Sequence, residues 1–403
     1  MSARRLLLLI VALVAARVVV VPLILSDPLT SRRNAVLTGD VRRYHRIAQS
    51  PGVPYRDFPV EYPPVTWAAI KVLDGGSNRA ATIRVVISQL VCDVLVAAAL
   101  AYGWSRRAAL AYLVLGLPLV VYPFIYLRLD LLSVALAAWG LALVRRDRWA
   151  SGGVLLAVSC FAKPWPLAVL PMLVLQRRWR ALAVTLATGA AGLAAWVVVA
   201  GVDGVQQVAT FRGARGWQIE SVVGALVRAL GHDIVHVESG AWRVGASAAT
   251  WSRPLGLAMV AVMAVVWWRA WYHRDDTRVV EAVAPLAALG AFLALAPILS
   301  PQYVCWLLPF AALAYVEGAR RMVWISAAVV ALSAILLYVI KEVIWGEDTA
   351  MVLLLVRNAM VVALTVVGLV EIWRRPARSV RRPVPPATTD TGPVAREPVG
   401  QVV

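Results

Sequence analysis

The sequence predicts an all-α, polytopic membrane protein. Three observations carry that reading. Of the 403 residues, 61% are hydrophobic and only 15% charged, with a mean hydropathy of +0.74, which places the chain among membrane proteins rather than soluble enzymes. Apolar runs long enough for helices recur along most of its length. Arginine clusters fall in the short gaps between those runs, the pattern that orients helices with their basic ends in the cytoplasm. The formal charge of +18 therefore reads as a topology signal, and no nucleic-acid partner is expected.

The first run, residues 4–25, covers a bilayer of roughly 30 Å at 1.5 Å per residue. It opens on Arg4 and Arg5 and precedes no small-residue cleavage site, so it reads as a retained helix with a cytoplasmic amino end rather than a removed signal peptide. Placing each later arginine cluster inside threads runs at 82–104, 108–127, 130–144, 150–162, 164–175, 181–200, 251–272, 282–298, 303–316, 322–340 and 351–373. That makes about twelve crossings with both termini cytoplasmic, a transmembrane domain over 1–373 and a tail over 374–403. The tail is rich in Pro, Arg, Thr and Val without a period and reads as disordered. No repeat of 20–50 residues is visible. Cys92, Cys160 and Cys305 lie in or beside apolar runs without CxxC spacing, so neither disulfides nor a metal site is expected from them.

The polar segment Leu37 to Trp67 is the exception to this composition and, by the threading, a long first extracytoplasmic loop. It gathers Asp40, Tyr44, Tyr55, Asp57, Glu61 and Tyr62 with Arg42, Arg43, His45, Arg46 and Arg56 around Pro59, Pro63 and Pro64. Val65–Leu73 is too short to span and is expected at the interface or as a re-entrant piece. Further polar groups fall on the same side: Arg128 with Asp130, Lys163-Pro164-Trp165-Pro166, the string Phe211 to Ser221, and Ser300-Pro301-Gln302-Tyr303. Ionisable groups at membrane depth are expensive and default to functional hypotheses. A carboxylate there accepts the proton of an attacking hydroxyl, and arginine or lysine holds a phosphate leaving group. That chemistry suits transfer of a sugar from a lipid phosphate, and no nucleotide-binding glycine loop is present.

The order of these pieces resembles glycosyltransferase family 87. Gly39-Asp40-x3-Tyr44, Pro54-Tyr55-x-Asp57 and Val60-Glu61-Tyr62-Pro63-Pro64 are similar to the family's first external loop. The likeness continues through Arg128-x-Asp130, Ala162-Lys163-x-Trp165-Pro166, Arg215-Gly216-x-Gln218-x-Glu220-Ser221 and Ser300-Pro301-Gln302-Tyr303, and covers residues 5–372. The resemblance implies the GT-C architecture and an inverting transfer of a hexose, mannose first, from a polyprenyl-phosphate sugar to a lipid or glycan acceptor. The site would lie on the outer face of the plasma membrane, with Asp40 as general base. It implies no cofactor, and whether a divalent cation assists is left open. Relatives of the phosphatidylinositol-mannoside type carry histidines soon after the Ser-Pro, whereas residues 302–306 here have none, which leaves the acceptor and the sugar open.

Each candidate has a plainer role. Asp40 also suits an N-cap, and the two roles are compatible. Glu61 and Asp57 are the other candidate carboxylates, and pairing with nearby arginines is their structural alternative. Arg128, Asp130, Lys163, Arg212 and Arg215 are candidates for the donor phosphate; an ion pair for the first two, and snorkelling for Lys163, compete with that role. Tyr44, Tyr62, Gln218, Glu220, Ser221, Gln302 and Tyr303 are candidates to shape the sugar or acceptor pocket. His232 and His236 with Glu238 lack the His-Glu-x-x-His spacing and a third ligand, so no metal is assigned. The seventeen tryptophans fall near helix ends, as interfacial anchors do, and Trp67 and Trp217 are candidates for sugar stacking. A secondary transporter or lipid flippase is the competing reading, since it too would show many helices, proline breaks and buried charge.

Overall fold

A computed structural model describes residues 2–26, 39–121, 123–209, 214–231 and 234–374. Arg212, His232 and almost all of the proposed tail lie outside the described residues. Among the described residues six helices are long and apolar enough to cross a membrane: α1 (Ala3–Ser26), α4 (Asn78–Gly103), α10 (Trp179–Ala209), α12 (Ala248–Trp271), α15 (Arg320–Tyr338) and α17 (Asp348–Trp373). Between them lie α2 (Gly39–Gln49), α3 (Pro64–Leu73), α5 (Arg106–Leu115), α6 (Leu117–Val121), α7 (Asp130–Arg145), α8 (Trp149–Ala162), α9 (Pro171–Leu175), α11 (Val222–Ala229), α13 (Ala284–Leu295), α14 (Leu308–Val316) and α16 (Ile340–Trp345). The chain is thus a multi-pass helical membrane protein.

Prolines set most of the differences from the expected spans. The run 108–127 is divided into α5, α6 and a 3₁₀ turn at Pro123–Leu127, because Gly116, Pro118 and Pro123 interrupt the backbone ladder. Pro164, Pro166 and Pro171 likewise divide 164–175 into the 3₁₀ turn Trp165–Ala168 and the single turn α9. The run 282–298 begins in a π turn at Val279–Val283 and ends at Leu295, and 303–316 begins as a 3₁₀ turn at Pro301–Trp306 before α14. By contrast, Val65–Leu73 forms the short α3, with Pro64 at its first position, where a missing N–H costs nothing.

One addition departs from the all-α expectation. The polar connection between α10 and α12, the second polar loop, carries a small antiparallel sheet of β1 (Trp217–Gln218), β2 (Val235–Glu238) and β3 (Ala241–Val244), ordered β1-β3-β2. Its hairpin turns through Ser239 (φ 50°) and Gly240 (φ 76°), the positive-φ pair of a two-residue hairpin loop.

The hairpin of α7 and α8 fixes much of the geometry that follows. Asp130 opens α7 and Lys163 closes α8, so antiparallel packing brings the two ends together. The helices meet through glycine. A Cβ on Gly152 would lie 2.6 Å from Val144 Cγ2 and 2.8 Å from the Gly140 carbonyl oxygen. We expect Gly152→Val to separate the helices at a cost of about 1–3 kcal/mol, seen as a lower unfolding midpoint in detergent; an unchanged midpoint would mean the contact carries no stability.

The ends of the bundle differ in chemistry. At one end Glu281 accepts hydrogen bonds from Trp104 Nε1 (2.6 Å) and Gln176 Nε2 (2.9 Å) and pairs with Arg145, tying together the ends of α4, α7 and α9. At the other end lie the first polar loop and the sheet. Beyond a break at Gly201 (φ 70°), the last turns of α10 carry Gln207. Its amide donates to the Tyr55 carbonyl (2.6 Å) and accepts from the Val60 N–H (3.2 Å), which fixes the first loop to α10.

Candidate functional site: a charged cluster beneath the first loop

Asp40 lies in the first turn of the amphipathic α2, whose Val41, Tyr44, Ile47 and Ala48 are buried. Its carboxylate meets Arg128 Nε at 2.5 Å. Arg128 is placed by the 3₁₀ turn before it: its guanidinium lies 4.0 Å from the Phe124 ring centroid, and Nη1 donates to the Leu127 carbonyl at 3.1 Å. The Arg128-Leu129-Asp130 step leads into α7, where the buried Asp130 is 3.4 Å from Lys163 Nζ and accepts from Trp306 Nε1 at 3.2 Å. Two carboxylates and two cations, drawn from α2, the entry to α7 and the end of α8, are thereby assembled as ion pairs.

Aromatic rings line the same place. Lys163 Nζ sits 5.9 Å from the Tyr62 centroid and 5.4 Å from that of Tyr303. Tyr44 meets Tyr62 edge to face at 5.4 Å, and Tyr303 stacks on Trp306 at 4.2 Å. Burial, with the nearby charge of Asp40 adding to it, pushes the Tyr44 phenol above its ordinary value; burial does the same to Tyr62. These phenols stay protonated around neutral pH. Glu61 pairs with Arg43 at 2.6 Å, so it faces back onto α2.

A layer from the second loop supports the cluster. Gln218 donates to Glu220 (2.7 Å) and accepts from the Leu299 N–H (2.7 Å), linking the sheet to the segment before Ser300. Ser221 caps α11, accepting from the Gly224 N–H at 3.0 Å and donating to the Gln218 carbonyl. Gln302 accepts from the Ser300 hydroxyl at 2.6 Å. Arg357 of α17, fully buried, donates to the Glu220 carbonyl at 3.0 Å, and Asn358 donates to that of Ser221 at 3.3 Å.

Burial raises the Glu220 carboxyl to about 7, against the opposing pull of Arg357 and the Gln218 hydrogen bond. The folded state therefore holds this proton over a range in which the unfolded chain has lost it. Stability should be greatest below about 4.5 and fall as pH rises through about 7, where the buried group ionises. We expect the wild-type unfolding midpoint to drop between pH 5 and 8 and Glu220→Gln to flatten that slope; equal slopes would refute the assignment.

The expected residues do not all converge. Asp57 is exposed and bonds within its own turn, to the Val53 N–H at 2.6 Å and to Arg56 at 3.2 Å, which holds its carboxyl below the usual range. Arg215 is exposed, and its backbone N–H donates to Glu238 at 2.9 Å. Trp217 is buried, with Nε1 donating to Ser247 at 3.0 Å, so it packs the sheet instead of presenting a face for a sugar. His236 lies 3.6 Å from Glu238, and among the described residues no group of three potential metal ligands occurs.

Arg357 and Arg243 were missed in the sequence. Arg243 donates to the Gly216 carbonyl at 2.7 Å and lies near enough to Tyr303 to act on it electrostatically. Arg357 interrupts an apolar run, Val352 to Val362, and that intramembrane charge was the available signal.

A multi-pass helical protein with paired charges and tyrosines assembled at one end of its bundle is the class defined so far. The profile of glycosyltransferase family 87 matches residues 61–301, more than half of the chain. The chain belongs to glycosyltransferase family 87 and is a membrane glycosyltransferase. The match includes Glu61, Arg128, Asp130, Lys163 and Glu220, whereas Asp40 and Tyr44 precede it and Gln302 and Tyr303 follow it. No curated protein matches the chain.

Proposed function

We propose that the chain transfers a hexose, mannose first, from a polyprenyl-phosphate sugar to a hydroxyl of a lipid or glycan acceptor on the outer face of the plasma membrane. The observation that supports this most is the pairing of Asp40 with Arg128 beside that of Asp130 with Lys163. Asp40 takes the acceptor proton as the oxygen attacks the anomeric carbon. The bond from that carbon to the phosphate oxygen breaks, and the lipid phosphate leaves with the electron pair. Arg128 and Lys163 stabilise the charge gathering on it. The planar guanidinium has five donors, enough to hold Asp40 and a phosphate oxygen together. Tyr44, Tyr62 and Tyr303 supply hydroxyls and ring faces for the sugar, and Glu220 with Gln218 holds the wall behind them.

Attack opposite the leaving phosphate inverts the anomeric centre. Glu61 is the second candidate base; both carboxylates face an arginine, but the Glu61 side chain is 13% exposed against 29% for Asp40, which leaves Asp40 the more accessible to an acceptor. The test is the configuration of the product formed by purified protein from polyprenyl-phosphate mannose, read by NMR, with a nucleotide sugar as the alternative donor. The proposal expects inversion and no use of the nucleotide sugar. A product of retained configuration, or one formed only from the nucleotide sugar, would overturn it.

A further inference from the structure

A second charged feature lies at the opposite end of α17 from Arg357, and the reaction above does not use it. Seventeen residues of helix, about 26 Å, separate Arg357 from Arg374. There, an open surface pocket of 310 Å³ is lined by Arg278, Gly318, Arg320, Arg321, Glu371 and Arg374. Three chain segments meet in it: the entry to the π turn before α13, the start of α15 and the end of α17. Glu371 is taken by Arg278 at 2.9 Å, and the neighbouring Glu317 accepts from the Thr277 hydroxyl at 2.8 Å. Among the described residues no carboxylate pairs with Arg320, Arg321 or Arg374.

Orientation by positive charge explains arginines on this side, but it requires neither a concave wall nor the convergence of three segments. The placing of Arg320 and Arg321 is also costly. They occupy the first turn of α15, where the helix dipole disfavours cations, and Ala319 supplies no side-chain cap. An anion in the pocket would answer both the dipole and the guanidinium groups. The same helix ends carry exposed indoles, Trp324 one turn into α15 and Trp373 beside Arg374, as helix ends at a headgroup boundary do. The chain's own tail is a poor occupant, because Arg378, Arg381, Arg382 and Arg396 outnumber Asp390 and Glu397.

We propose that this pocket binds the phosphate headgroup of an anionic lipid in the leaflet it faces. The test titrates the purified full-length protein in detergent with fluorescent short-chain phosphatidic acid. Saturable binding is expected, competed by unlabelled phosphatidic acid but not by phosphatidylcholine or inorganic phosphate. The variant Arg320→Gln/Arg321→Gln should lose affinity about 20-fold, whereas Arg106→Gln/Arg107→Gln, an equal charge change elsewhere, should keep it. Arg320→Lys/Arg321→Lys and Arg374→Gln keep the test decisive should the first variant misfold, the lysines retaining part of the affinity and Arg374→Gln losing it. Equal loss in the two glutamine pairs would reduce the effect to general surface charge and overturn the proposal. Competition by inorganic phosphate would overturn the lipid assignment, and absence of saturable binding would overturn the site.

Discussion

Asp40→Asn is expected to lower the turnover of sugar transfer by about 10²–10⁴-fold, with donor affinity little changed, the usual range for loss of a positioned general base. Asparagine keeps the size and capping ability of the side chain, so α2 should stay folded. The capacity to take a proton is lost together with the negative charge that faces Arg128, while the oxygen that could cap the helix stays. The variant therefore separates the two roles that the sequence leaves open for this position. Full activity in Asp40→Asn would show that neither a base nor a charge is needed at this position and leave it a capping role, and Glu61→Gln would be measured next. Asp57→Asn is expected to keep its activity, because its bonds stay within the turn at Val53–Arg56.

Arg17→Leu should produce the largest loss of stability. Arg17 is one of only three buried residues on α1, with Leu6 and Val21. Its Nε meets Asp93 at 2.9 Å and Nη2 donates to the Leu113 carbonyl at 2.5 Å. Asp93 also accepts from the hydroxyls of Tyr112 (2.5 Å) and Tyr126 (2.6 Å). The leucine variant leaves Asp93 buried beside two phenols with no cation, a change that costs about 3–5 kcal/mol. Loss of α1 docking on α4 and α5 should follow. The double variant Arg17→Leu/Asp93→Leu should recover much of the loss, since removing both charges avoids the unpaired ion. If unfolding in detergent shows the double variant as damaged as the single one, the pair does not fix α1.

What the sequence disclosed follows the physics of each level. Apolar runs and arginine gaps were enough for the multi-pass helical class, because the bilayer imposes one pattern on any span, but not for the number of crossings. Helix breaks at Pro118, Pro164 and Pro171 were less legible: a proline marks a break but does not say whether a 3₁₀ turn or a second helix follows. The hairpin of β2 and β3 was readable in Val-His-Val-Glu-Ser-Gly-Ala-Trp-Arg-Val, whose alternation and Ser-Gly turn were overshadowed by the helical context. For the cluster, the residue types were visible, but the partners were not. Nothing in the spacing says that Asp40 meets Arg128 or that Asp130 meets Lys163, since those pairs form only when α2 and the α7–α8 hairpin pack. Arg17, Asp93, Glu281 and Arg357 are each a charge within or beside an apolar run, a signal that marks the residue but not its partner.

The most direct measurement uses proteoliposomes containing the purified protein, radiolabelled polyprenyl-phosphate mannose and a lipid acceptor extract. Label is followed both into acceptor lipid and across the bilayer. A glycosyltransferase with its site in the Asp40 cluster predicts protein-dependent label in a new glycolipid, lost in Asp40→Asn, with no protein-dependent crossing of the donor. Label that crosses the bilayer chemically unchanged, with none entering an acceptor from any lipid-linked sugar supplied, would contradict that account and favour transport instead.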